Sequence, residues 1–163
     1  MSEFNLNAIS PIDGRYATIT SELQDYFSES ALIKHRIKVE IEYFISLCEF
    51  DLPQLKNFNK AYFSKLREIY SDFNVKDALD VKLIEKKTNH DVKAVEYFIK
   101  QKFNDLKISE YSEFIHFGLT SQDVNNTAIP LILKDVLQKV YYDKIEKIIE
   151  ALDNKIKVWN NIP

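Results

Sequence analysis

Three short polar clusters interrupt an otherwise helical pattern. Each lies beside a helix start, where unpaired backbone N–H groups favour anions. The first is Ser10-Pro11-Ile12-Asp13-Gly14-Arg15-Tyr16. Arg15 offers a planar fork suited to phosphate or carboxylate, and Tyr16 adds a hydroxyl donor. On spacing alone the same residues also make a surface turn with a solvated arginine. The second cluster is Lys86-Lys87-Thr88-Asn89-His90-Asp91. It joins several donor types to a titratable imidazole and a carboxylate, with a plain helix cap at Asp91 as the simpler account. The third runs from Phe114 to Asp123 and contains His116, Gly118, Thr120 and Ser121. Thr120 or Ser121 is placed to cap the helix that follows, over a packed His116.

Other chemistries find no support. Ser121 with Asp123 or His116 makes no convincing hydrolase triad, and there is no Gly-x-Ser-x-Gly elbow. His35, His90 and His116 show no i, i+4 pairing of the kind a metal site uses. His35 is expected to be structural or exposed. The single cysteine, Cys48, cannot form an intrachain disulfide or centre a cysteine metal site, and it fits a reducing compartment.

The elements that must carry these clusters are helices. A short helix is expected over about 18–27, after an irregular start. The clearest amphipathic stretch of the first half is 29–50, where Ile33, Ile37, Ile41, Phe44, Ile45 and Cys48 recur at steps of three and four. Glu40 and Glu42 are expected off that stripe. Ser28 or Ser30 supplies a cap, and Asp51-Leu52-Pro53 ends the helix. Further helices are expected over 59–71 (carrying Phe63, Leu66, Ile69 and Tyr70), 76–87 (carrying Leu79, Leu83 and Ile84) and from about 91 to 103 (Val92, Val95, Phe98, Ile99 and Phe103 inward).

The last segment is the most informative about architecture. From Ser121 to Trp159 there is no glycine, and Leu133, Leu137, Val140, Ile145, Ile148, Ile149, Leu152, Ile156 and Trp159 keep a helical period. Pro130 is expected to bend this helix without ending it. At 1.5 Å per residue the rod is roughly 57 Å long, whereas a compact domain of this size has a radius of gyration of only about 15 Å. Its apolar stripe must therefore be covered by other helices, and self-association is expected of the chain alone. The domain reading is 1–120 as an N-terminal helical domain and 121–163 as the first long helix of a central bundle.

Composition agrees. Two glycines and four prolines in 163 residues exclude a sandwich, a many-hairpin barrel and a Gly-rich phosphate loop. Twenty-two basic against 25 acidic side chains give a net charge of −3, which offers no basic field for a nucleic-acid backbone. No signal peptide or apolar run long enough for a bilayer is visible, and a cytoplasmic protein is expected.

Together the clusters say more than each does alone. Ser10-Pro-Ile-Asp-Gly-Arg-Tyr16, then Thr88-Asn-His-Asp-Val-Lys-Ala-Val-Glu-Tyr-Phe98, then Ser112-Glu-Phe-Ile-His-Phe-Gly-Leu-Thr-Ser-Gln-Asp-Val-Asn-Asn126 closely resemble the N-terminal part of the adenylosuccinate lyase family, within the fumarase/aspartase superfamily. The resemblance covers nearly the whole chain, and its middle motif is the most specific. It implies an all-α fold and a β-elimination that releases fumarate from adenylosuccinate, giving AMP, and from the carboxamide intermediate SAICAR of purine synthesis, giving AICAR. It implies no metal or organic cofactor, and a homotetramer whose active sites are shared between subunits around a central helical bundle.

Carried over by position, Arg15 and Tyr16 would bind the nucleotide phosphate. Asn89, His90 and Asp91 would line the substrate site, with His90 an auxiliary catalytic residue that orients or neutralises the substrate. Thr120 and Ser121 would donate to the succinyl carboxylate, with His116 supporting them. The family's Thr-His-Gly-Gln-Pro-Ala and Ser-Ser-x-Met-Pro-x-Lys-x-Asn segments, which carry the main acid and base, are not among these 163 residues. The 163-residue chain alone is therefore expected to be inactive. The competing readings are another lyase of the superfamily, such as argininosuccinate lyase or fumarase, and a non-catalytic helical interaction module.

Overall fold

A computed structural model of the chain describes residues 7–50 and 52–162. Residues 7–20 form successive turns, and a 3-10 turn, Ser21–Leu23, leads into the short helix α1, Gln24–Phe27. The other helices are α2 (Glu29–Glu49), α3 (Phe63–Ser71), α4 (Val75–Thr88), α5 (Asp91–Asp105), α6 (Ser121–Val136) and α7 (Tyr142–Trp159). No strand occurs among the described residues, so the fold is all-α. Asp51, expected to help end α2, lies outside the described residues, as do residues 1–6 and Pro163. No helix of the described residues is long and apolar enough to cross a membrane.

The centre of the molecule is α2. Ser28 caps it by accepting from the Ala31 N–H, and α3, α5 and α6 pack around it. Ile33, Ile37, Ile41, Phe44, Ile45 and Cys48 are all buried, as their spacing requires. Phe44 meets the edges of Phe58 and Phe103 at 5.2 and 5.0 Å between ring centroids, a geometry that suits aromatic quadrupoles. Burial in this apolar layer pushes the Cys48 thiol up to about 11, so it stays protonated and inert.

One expectation about a facing residue is corrected. Glu40 was placed off the α2 stripe, yet it is 1% exposed; positions 33, 36, 37, 40, 41 and 44 form one continuous face at helical spacing. Leu79 and Leu83, which carry the apolar spacing of α4, are 60% and 61% exposed, while Ala78 and Val81 are buried. The small residues let α4 lie close to its neighbours, and Val75, Leu79 and Leu83 form an outward stripe at i, i+4, i+8.

Helix α4 also carries a complete capping box. Asn74 accepts from the N–H groups of Lys76 (2.9 Å) and Asp77 (3.4 Å), and Asp77 accepts from the Asn74 N–H at 3.2 Å. Replacing Asn74 with Ala is expected to lower folding stability by about 1 kcal/mol, read in urea as a lower midpoint at unchanged slope.

The long helix is continuous from Ser121 to Trp159, and Pro130 does not end it. A π turn, Leu137–Tyr141, joins α6 to α7, with the Tyr142 N–H bonded to the Leu137 carbonyl. Pro130 sits within α6 without interrupting it. The π turn accommodates the five-residue step from Val140 to Ile145, which an unbroken α-helix would have turned off the stripe. Val124, Ala128, Ile132 and Val136 of α6 are buried, whereas no residue of α7 is. Ile148, Ile149, Leu152, Ile156 and Trp159 are exposed.

Candidate functional site

The second polar cluster is a turn that closes one helix and opens the next. Asn89 takes the left-handed conformation (φ 52°, ψ 34°) at the end of α4, which asparagine tolerates better than most residues, and its N–H bonds the Glu85 carbonyl. His90, and not Asp91 as expected, is the N-cap of α5: its Nδ1 accepts from the Lys93 N–H at 3.1 Å. With Nδ1 accepting this bond, Nε2 is the ring nitrogen left to face a ligand. The ring is half exposed and lines an open hollow with Glu29, Lys82, Glu85, Lys86, Asn89 and Asp91.

Asp91 is the first residue of α5. One carboxylate oxygen accepts from the Val92 N–H at 2.8 Å and the other pairs with Arg36 at 2.8 Å. Burial works against the charged form, but the Val92 N–H and the Arg36 guanidinium outweigh it and hold Asp91 below the usual aspartate range.

Arg36 links this turn to the third cluster. Its side chain is 7% exposed, and while one guanidinium nitrogen holds Asp91, its Nε donates to Asn125 of α6 at 2.9 Å. The 88–91 turn and the head of α6 are thereby tied to one fixed point on α2.

The head of α6 has its own capping box. Thr120 donates its backbone N–H to Asp123 at 2.7 Å and its hydroxyl to the same carboxylate at 2.8 Å, while its hydroxyl oxygen accepts from the Asp123 N–H at 3.3 Å. These donors hold the Asp123 carboxyl below its ordinary range. The Thr120 hydroxyl proton is thus committed, whereas the Ser121 hydroxyl is not.

The turn leading to Thr120 hangs from α2. Glu40 accepts from the His116 N–H at 3.1 Å and lies 2.5 Å from its Nδ1; one turn on, the Tyr43 hydroxyl donates to the Phe117 carbonyl at 2.9 Å. Both His116 (φ 60°) and Gly118 (φ 71°) are left-handed. A side chain at Gly118 would meet nothing within 4 Å, so its glycine answers to the backbone angle alone. Burial drives the Glu40 carboxyl up, only partly offset by His116, and Glu96 adds to the rise. Glu96 is itself buried; Lys93 and Lys100, at 2.7 and 3.2 Å, outweigh that burial and hold its carboxyl low.

The first cluster stays with its own turn. Arg15 lies 4.8 Å over the Tyr16 ring, and the Thr20 hydroxyl donates to the carbonyls of Ile12 and Tyr16. Among the described residues no hydrogen bond or ion pair joins Arg15 or Tyr16 to the other clusters. Arg36 thus links Asp91 to Asn125 of α6, and Glu40 holds His116 ahead of Thr120; Asn89, His90 and Asp91 line a hollow of which Thr120, Ser121, Arg15 and Tyr16 are not part. His35 is buried, with Nδ1 2.8 Å from the Ala31 carbonyl, which fits a structural role. No group of three His, Cys, Asp or Glu among the described residues is placed to hold a metal ion.

Sequence reasoning missed Arg36, Glu40 and Asn125. The first two lay on the i, i+3, i+4 face of α2, and Asn125 lay inside the third motif.

Comparison with known proteins extends this picture. Residues 14–163 match the family model described as Lyase. The chain is similar to the adenylosuccinate lyase of Dictyostelium discoideum, at 53% identity over 98% of this chain and 35% of that protein. It is also similar to the adenylosuccinate lyases of Legionella pneumophila strain Corby, at 43% identity over 90% and 33%, and of Buchnera aphidicola subsp. Acyrthosiphon pisum, at 39% identity over 98% and 35%. The chain thus spans about a third of the length of the curated relatives it matches.

Proposed function

The chain belongs to the lyase family matched over residues 14–163, and from that membership we propose that it is the N-terminal portion of an adenylosuccinate lyase. The whole protein would release fumarate from adenylosuccinate and from SAICAR. The reaction is a β-elimination: a base takes a proton from the succinyl Cβ, the electron pair forms the new C=C bond, and the C–N bond breaks as an acid protonates the leaving nitrogen. Negative charge builds on the adjacent carboxylate before the C–N bond breaks, so donors aimed there lower the barrier.

The observation that carries the reading is the joining of the 88–91 turn to the head of α6 through Arg36. A substrate bearing a phosphate and two carboxylates needs anion donors from several directions. Here the His90 ring lines an open hollow, and the Ser121 hydroxyl stands uncommitted at a helix N-terminus. Asn89 and Asp91 line the same turn, and Thr120 frames the helix start. Arg15 and Tyr16, apart from these residues, suit the phosphate end, reached across a subunit boundary. The exposed stripe of α7 suits a helical bundle, with residues 1–120 as the N-terminal domain, 121–163 as the first bundle helix and a homotetrameric cytoplasmic enzyme as the whole.

The test is fumarate release. The full-length enzyme is expected to convert adenylosuccinate to AMP and fumarate, whereas the purified 163-residue chain is expected to release none, because the segments expected to hold the main acid and base are outside it. Turnover of argininosuccinate or malate in place of adenylosuccinate would sink the substrate assignment.

A further inference from the structure

We propose that Glu40 is a positioning residue for the substrate site: from inside the core it fixes His116, and through His116 it sets where Thr120 and Ser121 begin α6. The proposal rests on the functional reading above and adds to it a residue that touches no substrate.

Four observations converge. Glu40 is 1% exposed and stands on α2, against which α3, α5 and α6 pack. Both of its oxygens are spent on one residue, Oε2 on the His116 N–H at 3.1 Å and Oε1 beside the His116 Nδ1 at 2.5 Å. His116 is held at φ 60°, a conformation that a non-glycine residue rarely adopts and that persists only where the surroundings over-determine it. Only Phe117, Gly118 and Leu119 separate His116 from Thr120, and the Phe117 carbonyl is tethered to α2 by Tyr43. A shift at His116 therefore passes to the helix start with little slack.

The choice of residue argues the same way. Burying a carboxylate is unfavourable, and a buried ion pair is weak evidence for stability, because apolar groups in place of both partners often serve folding as well. The nearby buried carboxylate of Glu96 makes that burial harder still. A carboxyl group at position 40 is explained by what it grips. Length matters more than charge in this account, because the two contacts need a side chain that reaches both the main chain and the ring of His116.

The experiment compares Glu40→Gln and Glu40→Asp in the full-length enzyme. Glutamine keeps the length, accepts the His116 N–H and can donate its amide to a neutral Nδ1. Aspartate keeps the charge but is one methylene short. E40D is expected to raise KM for adenylosuccinate about tenfold with kcat changed far less, while E40Q stays within about threefold of wild type in both. Exchange of the amide hydrogens of His116–Ser121 should speed up in E40D and not in E40Q. The reverse order, with E40Q impaired and E40D normal, would assign Glu40 an electrostatic role and overturn the proposal; so would an E40D enzyme with wild-type KM and wild-type exchange. A wild-type protein that releases no fumarate would refute the functional reading instead, and the exchange data would still decide whether Glu40 positions the turn.

Discussion

Replacing Arg36 by methionine is expected to cut turnover of the full-length enzyme about a hundredfold, the order expected when reacting groups are misplaced by about 1 Å. Methionine preserves most of the buried stem, so the loss isolates the guanidinium. That group donates at once to Asp91 on α5 and to Asn125 on α6. A lysine cannot replace it, since a single ammonium on a flexible stem does not reproduce two donors at fixed directions. R36K should therefore fall much closer to R36M than to wild type, which steady-state kinetics on adenylosuccinate would read directly.

The same substitution has a thermodynamic signature. Two charge-assisted bonds from a buried donor would be worth more if both acceptors were enclosed, but the Asp91 side chain is 47% exposed. Allowing for that screening, R36M should cost about 2–3 kcal/mol at neutral pH. Asp91 is held below its ordinary value of 3.8. A carboxyl with a depressed folded pKa stabilises the fold above its unfolded pKa, and that stabilisation is lost as pH falls through the folded value. The gap between wild type and R36M should thus be widest above pH 5 and narrow below the aspartate range. A gap that widened on acidification would show that Asp91 is not the partner that matters.

Much of this architecture could be read before any coordinates, and the failures have particular causes. The α2 stripe was legible because six apolar residues repeat at helical spacing. Arg36 and Glu40 share that face, yet their charge argued for the surface; only tertiary partners 89 and 76 residues away make their burial tolerable. Leu79 and Leu83 show the converse. Their spacing identified a helix correctly, but periodicity cannot say which of two faces meets this chain and which awaits another surface. The π turn falls at the five-residue step from Val140 to Ile145, where the spacing departs from a helical period. At the site, the polar clusters announced themselves by interrupting apolar runs. What joins them did not, because a bridging side chain on a third helix leaves no local pattern.

The aromatic layer under α2 gives the largest expected effect on stability. Phe44 is fully buried, one helical turn beyond Glu40, and its ring meets Phe58 and Phe103 edge-on. Phe44→Ala removes the ring and leaves a cavity that rigid helices cannot close. A loss of about 3–5 kcal/mol is expected, a large share of the 5–15 kcal/mol that holds an ordinary domain. In a thermal scan that corresponds to a fall of about 10 °C. Phe44→Leu refills most of the space and should cost about half as much or less, the remainder being lost edge-to-face contact. Because Arg36, Glu40, Tyr43 and Phe44 lie on two successive turns of one helix, loosening the layer should also loosen the grip on His116. Amide exchange at His116 should therefore accelerate in F44A, even at temperatures where the helices remain folded. Unchanged protection there, alongside the expected drop in midpoint, would mean that the core stabilises α2 without fixing its position, and that the 116–121 turn takes its rigidity from elsewhere.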